Sequence, residues 1–383
     1  MATIQGTRLT LSDTVGLAVD MSPTIQLIDP FDVGLLSYFG MSSLDKEATE
    51  TTHRWQEDVL RPLTSTAAEV IDTFETVISV AAGTGTYFRK NDVVMIADTG
   101  HGEEQVLVTL VSTDDLTVTR GWATTDPVSH ATGVALEIIG VAVVEGDPTP
   151  GVARTTVKTE VSNVTQIFED VVEISSTLEA VEQWAPGSEY ARQLAKTMKT
   201  LMILLDKTFY YGTKFAGSAT VPRSMAGIRS FLTTNVTDAL DVALDEDLLL
   251  DLLHDVYDDG GNPGTMFMTL TQKRFFNRFL GDAVRRTTLA EKTAGAVVDY
   301  YTWDNGTLDV VIDRWLPRSE ISVLTTEYIG FGPLRTQQIG HEILPKQSRL
   351  VQRGQITGEY TAEVKSEKAH GLLIGLETDA TKS

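Results

Sequence analysis

Near the end of the chain, apolar and polar residues alternate without a break. Leu350, Gln352, Gly354, Ile356, Gly358, Tyr360, Ala362 and Val364 share one face of an extended segment; Thr357, Glu359, Thr361, Glu363 and Lys365 take the other. A period of two predicts a long strand. A period of 3.6 dominates earlier, where Tyr190, Leu194, Met198, Leu201, Leu205 and Phe209 form one stripe and Arg192, Lys196 and Lys199 lie opposite. This predicts an amphipathic helix of roughly 34 Å. Ser188 suits its N-cap, Glu189 its positive first turn, and Gly212 the residue after its last turn.

Between 65 and 150 the pattern is β throughout. Val93-Val94-Met95-Ile96 precedes the turn Asp98-Thr99-Gly100. Residues 106–111 lead through Thr113-Asp114-Asp115 into Leu116-Thr117-Val118-Thr119, and 134–144 form a further strand closed by Gly146-Asp147-Pro148. Short strands at regular spacing predict a small antiparallel barrel or sandwich. Residues 152–180 also alternate and read as extended hairpin material. After Gly212 the signals are mixed: helices over 245–257 and 271–280, and strands at 266–268, 297–302, 307–313 and 320–325. The first 62 residues, punctuated by Pro23, Pro30 and Pro62, read as an arm with helical turns at 33–39 and 55–60. A segment with so few apolar residues to bury needs another surface to lie on.

Composition adds limits. The 383 residues are 42% hydrophobic and 22% charged, which suits a core-forming protein with more than one substructure. Acidic residues outnumber basic ones, 53 to 31, for a formal net charge of −22. Such a field repels nucleic acid and anionic membranes, which argues against a transcription factor and suits a container that must not adsorb its contents. With no cysteine, disulfides, thiol nucleophiles and Cys-ligated zinc are excluded. The opening MATIQGTRLTLSD carries no secretory signal, and the apolar run 134–144 falls well short of the about 20 residues that span a bilayer.

No motif carries chemistry. Gly83-Thr84-Gly85 begins a phosphate-loop pattern, but Phe88 stands where the third glycine belongs and no Walker lysine follows. Neither H-E-x-x-H nor G-x-S-x-G occurs. His53 with Glu57, and His101 with Glu103 and Glu104, offer too few ligands for a metal. In Asp255, Asp258, Asp259 and Gly260 the spacing of a calcium loop fails at Tyr257. Lys273-Arg274, Arg278 and Arg285-Arg286 alternate with Phe275, Phe276 and Phe279, which reads as an amphipathic helix with its aromatics in the core rather than a nucleic-acid contact. No catalytic, cofactor-binding or metal-binding residue is assigned.

The order of these parts resembles the α+β capsid fold of tailed bacteriophages, the Hong Kong 97 type, and within it a major capsid protein family with a β insertion. The resemblance is carried by Ile28-Asp29-Pro30-Phe31, Trp55-Gln56-Glu57-Asp58 with Leu60, Asn163-Val164-Thr165-Gln166-Ile167-Phe168, Gly358-Glu359-Tyr360-Thr361-Ala362-Glu363-Val364 and Glu367-Lys368-Ala369-His370. It implies an N-terminal arm over 1–62, an all-β insertion over 63–150, and an extended hairpin loop with a peripheral-domain strand over 151–181. A spine helix over 182–212, an axial α/β domain over 213–335 and closing peripheral-domain strands over 336–383 would follow. It further implies a non-enzymatic subunit that assembles with many copies of itself, as hexamers and pentamers, into an icosahedral head around double-stranded DNA. Separate scaffolding, portal and decoration proteins, no cofactor, no membrane, and assembly in the host cytoplasm complete the expectation.

Two rivals stand beside this reading: a receptor- or carbohydrate-binding virion protein using 65–150, with Tyr87, Phe88 and Trp122 as its aromatics, and a hydrolase with a hidden cluster of buried carboxylates or histidine. A cellular nanocompartment shell would share the fold. Three further expectations follow from the capsid reading. The arm and 151–181 should make few contacts with their own chain. The β module should fold independently on the shell's outer side. With Met1 opening a segment that has no sustained heptads, no internal scaffold is expected.

Overall fold

The computed structural model describes residues 31–98, 103–146, 155–181, 188–279, 299–345 and 350–378. The chain divides into two compact units, one built from 1–55 with 161–383 and the other from 56–160. Strands Thr52–Glu57 and Thr159–Val164 pair where the chain passes from one to the other.

The larger unit holds two sheets. The first has six strands in the order Val236–Val242, Gly371–Leu376, Ile321–Leu324, Thr265–Met268, Gly306–Ile312 and Asp299–Trp303. It is mixed: the first pair and the Thr265–Met268/Gly306–Ile312 pair run parallel, and the others antiparallel. Alternation explains how the sheet is covered on both sides. Met266, Met268, Val310, Val323 and Leu373 point to one face, under Leu249, Leu252 and Leu253 of helix Glu246–Asp258 and Phe275 and Phe276 of helix Leu270–Phe279. Phe267, Val311, Leu324 and Leu372 join the core on the other face.

That second core is shared with the long helix Glu189–Tyr211 and the second sheet. Leu201, Leu205 and Phe209 of the helix meet Phe331, Ile356, Tyr360 and Ala362. The Phe331 and Tyr360 rings stack at 5.2 Å. Strand Val351–Val364 organises this sheet. Gln166–Ser175 pairs antiparallel along one edge; Ile329–Pro333 and Gly340–Leu344 pair along the other.

The helix begins at Ser188, whose side chain accepts from Ala191 N–H at 3.3 Å, and ends at Gly212. Close packing, rather than a left-handed backbone, requires the glycine. Its φ is −50°, but a Cβ there would lie 2.5 Å from the Met225 carbonyl oxygen and 2.7 Å from that of Thr208.

The smaller unit is a closed antiparallel barrel. Its six strands follow the order Thr64–Thr66, Ala135–Val141, Asp92–Ala97, Glu104–Ser112, Asp115–Thr119 and Val77–Ser79. The two outer strands meet: Ala67 bridges Val80, and Ala68 N–H donates to Ser79 O at 2.8 Å. Closure removes the free edges that an open sheet would expose. Ile96, Val106, Val108, Leu116 and Leu136 fill the interior. The unit is wider than the expected 63–150, because Arg61 donates to Tyr87 O at 2.9 Å and Ile138 N–H to Leu63 O at 2.8 Å, fastening the approach to the barrel.

Three local expectations need correction. Residues 55–60 are not a helical turn: 52–57 is a strand, with Trp55 buried beside Phe231 at 5.8 Å. Residues 151–181 do not form a hairpin among the described residues. Thr159–Val164 pairs with Thr52–Glu57 whereas Gln166–Ser175 pairs with Val351–Val364, and the two part at buried Thr165, whose N–H turns to Thr51 O. Nor do the described arm residues or this segment keep apart from their own chain. Leu35 is 0% exposed, Leu36, Ala48 and Trp55 are buried, and Phe168, Val172 and Ile174 lie in the core. Alternation marks a strand but not its partner, which is why the segment passes for a hairpin. The readings placed on 1–30, on 99–102, on 147–151 and on Arg285-Arg286 lie outside the described residues.

Candidate assembly surfaces and buried polar clusters

The residues singled out from sequence scatter. His53 and Glu57 sit on a strand, where four residues span about 13 Å, so they do not converge; His53 faces Glu363 at 3.5 Å instead. Gly83 and Gly85 do form an anion-accepting nest, but the anion is internal. Their N–H groups donate to the Asp114 carboxylate at 3.0 and 3.1 Å, and a Cβ on Gly85 would collide with the Thr113 carbonyl. Asp259 pairs with Lys368 at 2.9 Å, and Asp255 and Asp258 are exposed, as suits a solvated helix end. Phe275 and Phe276 are buried, with Arg278 and Lys273 over their rings. Of the aromatics offered for a binding face on the barrel, Phe88 is in the core and Tyr87 and Trp122 are half-buried.

Two further polar clusters are buried. In the barrel, Glu104 is 0% exposed and accepts from Arg120 Nε at 2.6 Å, Arg120 Nη2 at 2.7 Å, and the N–H groups of Gly121 and Val128. His130, 1% exposed, sits between Glu104 Oε2 at 3.2 Å and Asp98 Oδ2 at 3.1 Å. Burial alone would push the Glu104 carboxyl up, but the Arg120 bonds and the two backbone donors outweigh it and hold the group below its ordinary range.

In the larger unit, Asp206 of the long helix and Asp313, just past strand Gly306–Ile312, are 1% and 0% exposed. Asp206 Oδ1 accepts from Leu36 N–H at 2.9 Å; Asp313 accepts from Leu35 N–H at 3.1 Å and Trp315 N–H at 2.7 Å. Burial and the neighbouring Asp313 push the Asp206 carboxyl up to about 8.

Glu104, His130, Asp206 and Asp313 are all buried within packing, so neither cluster offers the open pocket that a hydrolase needs. Among the described residues, no group of three or more His, Asp or Glu is arranged to hold a metal, and no helix is long and apolar enough to cross a membrane.

What lies on the surface is apolar side chain and open strand edge. Leu240 is 79% and Leu350 77% exposed on the larger unit, and Leu60 is 91% exposed on the smaller. Leu240 also holds a left-handed backbone, with φ +52°, which costs a non-glycine residue about 1 kcal/mol or more. Among the described residues Gln166–Ser175 and Gly340–Leu344 each pair on one edge only. Exposed apolar side chains and unpaired strand edges of this kind are features that contact with other polypeptide covers.

A long helix packed on a long-stranded sheet, with a second mixed sheet beside it, gives an α+β fold of the Hong Kong 97 type. The fold is similar to that of a protein of Mycobacterium phage Adephagia, at 8% identity over 99% of both chains with a TM-score of 0.50. It is likewise similar to the capsid of a native GTA particle, at 10% identity over 96% of this chain and 98% of that one, also at 0.50. Identities so low speak to fold alone. No curated protein matches the sequence. Residues 3–377 match the SU10 major capsid protein family, and the chain belongs to that family. It is thus a structural capsid subunit of a virion, self-assembling into a shell, and not an enzyme.

Proposed function

We infer that the shell is the icosahedral head of a tailed phage, built from hexamers and pentamers of this chain around packaged double-stranded DNA. The observation that carries the reading is the family match over residues 3–377. In support, a single copy leaves Leu240, Leu270, Leu350 and Leu60 uncovered, as surfaces awaiting neighbours do. In this reading 1–62 holds the arm, 182–212 the spine helix, 213–335 the axial domain and 336–383 the closing strands. The barrel within 63–150 is an insertion facing outward. A net charge of −22 favours enclosing DNA without sequence-specific binding. Scaffolding, portal and decoration proteins are separate partners, and assembly takes place in the host cytoplasm. Negative-stain electron microscopy of the expressed protein tests the reading. Shells, tubes or capsomer rings are expected; a monodisperse monomer at every concentration and salt level would refute it.

A further inference from the structure

Segment 31–40 is fastened to the rest of its chain at a place where two carboxyl groups meet without a countercharge. Helix Gly34–Phe39 begins there, and its Leu35 and Leu36 N–H groups each donate to one of the two, Asp313 and Asp206. The approach is tight: a Cβ on Gly34 would lie 2.8 Å from Asp313 Oδ2. Asp206 Oδ2 is buried and meets no donor, and the Asp313 carboxyl is close enough to raise the Asp206 carboxyl. Two such groups cannot both be ionised at that distance out of water, so one proton shared between them satisfies the orphaned oxygen.

The other charged groups nearby do not relieve the pair. Asp32, on the segment itself, adds a third negative charge. Arg314 is exposed and acts on Asp32. From the long helix, Lys207 lies over the Trp315 ring at 4.2 Å, and Tyr211 donates to the Trp315 carbonyl at 3.3 Å.

We propose that the Asp206–Asp313 pair is a proton-held latch, which clamps segment 31–40 onto the long helix in acid and loosens it as pH rises through neutrality. The sign follows from linkage. Asp206 keeps its proton up to about 8 when the segment is docked, whereas a solvated aspartate loses it near 3.9. Opening therefore releases a proton throughout that window, and its equilibrium constant grows about tenfold per pH unit until the docked form has also ionised. The latch stands on the subunit's own geometry. Its use in controlling assembly rests on the capsid reading, and a measurement on dissociated subunits separates the two.

That measurement is amide hydrogen exchange of dissociated full-length subunits between pH 5 and pH 8, corrected for intrinsic rates, with amides of the barrel strand Glu104–Ser112 as internal control. Protection of 34–40 is expected to fall by up to about a thousandfold over that range while the control stays level. In Asp206→Asn the amide nitrogen donates to Asp313 at every pH and the oxygen keeps the Leu36 bond, so the slope should vanish; Asp313→Asn is the second variant should the first not fold. A flat wild-type profile, or the same slope in both variants, would overturn the latch. Recovery of protection at pH 8 on adding millimolar magnesium or calcium would overturn it too, since a metal would then hold the pair together.

Discussion

Removing Arg120 should strand a charge in the middle of the barrel. Its guanidinium makes two bonds to Glu104 and three to the carbonyls of Asp72, Glu75 and Val128, at 2.6–3.2 Å. In Arg120→Met the stem volume is largely kept, but Glu104 loses its cation while remaining inaccessible to water. Breaking a buried ion pair from one side costs about 3–5 kcal/mol, a large share of the about 5–15 kcal/mol that holds a domain together. For a unit of this size the melting temperature should drop by more than about 10 °C.

Urea unfolding of the 56–160 segment reads this cleanly, because Trp122 is its single tryptophan. Adding Glu104→Gln to the same chain deletes the stranded charge and should restore about half of the loss or more. The pH dependence has a definite sign. The folded carboxyl of Glu104 sits below its ordinary value, so the stability it contributes is present above about pH 4.3 and disappears as pH falls through the folded value. The gap between wild type and Arg120→Met must therefore narrow in acid. A loss under about 1 kcal/mol at pH 7, or no rescue by Glu104→Gln, would show that the network does not carry the fold.

Three further outcomes are expected. The wild-type 56–160 segment, expressed alone, should give a β-type circular-dichroism spectrum and a cooperative melt, since its barrel closes on its own strands; a disordered or helical spectrum would contradict this. Asn163→Ala should destabilise the larger unit by about 3 kcal/mol or more in chemical denaturation. It removes side-chain bonds at 2.8–3.0 Å that hold the Ala226 N–H and the Ala226 and Ala362 carbonyls, all at a fully buried site. Gly212→Ala should cost about 1–3 kcal/mol by forcing apart the helix end and the segment at Met225, measured the same way, while a value near zero would mean the backbone yields freely there.

How far the sequence discloses this molecule depends on the range of each interaction. The long helix and its caps, the strand at 351–364 and the hairpin at Thr113-Asp114 are local: their periodicity and turn residues lie within a few positions of one another, and each is where the pattern puts it. Apart from the helical turn expected at 55–60, which is a strand, the failures are pairings across distance. Alternation makes 166–175 a strand, but its partner begins at Val351, and no local signal distinguishes that neighbour from 159–164. Polar sites fail for the same reason. Asp206 occupies a place on the apolar flank of the long helix, beside Leu205 and Phe209, and that misfit is the one local sign that something must meet it. Asp313 is 107 positions away and Leu36 is 170. In the barrel, Glu104 looks like half of a solvated Glu103-Glu104 pair until closure turns one inward and leaves the other exposed.

The same reasoning explains why function was legible where a site was not. An enzyme concentrates chemistry in a few residues, whose absence from the sequence is hard to judge because they can come from anywhere in the chain. A shell subunit distributes its task over the whole surface and succession of elements, and succession is what a sequence displays directly. The expectation that failed, an arm and a loop standing clear of their own core, shows the limit of that logic. Residues 31–40 bury Leu35 and Leu36 in their own subunit and are held by the Asp206–Asp313 pair, so any contact they make with a neighbour must be added to, or exchanged for, a dock that already exists. In the latch proposed above, a single proton on the carboxyl pair biases whether that dock is kept.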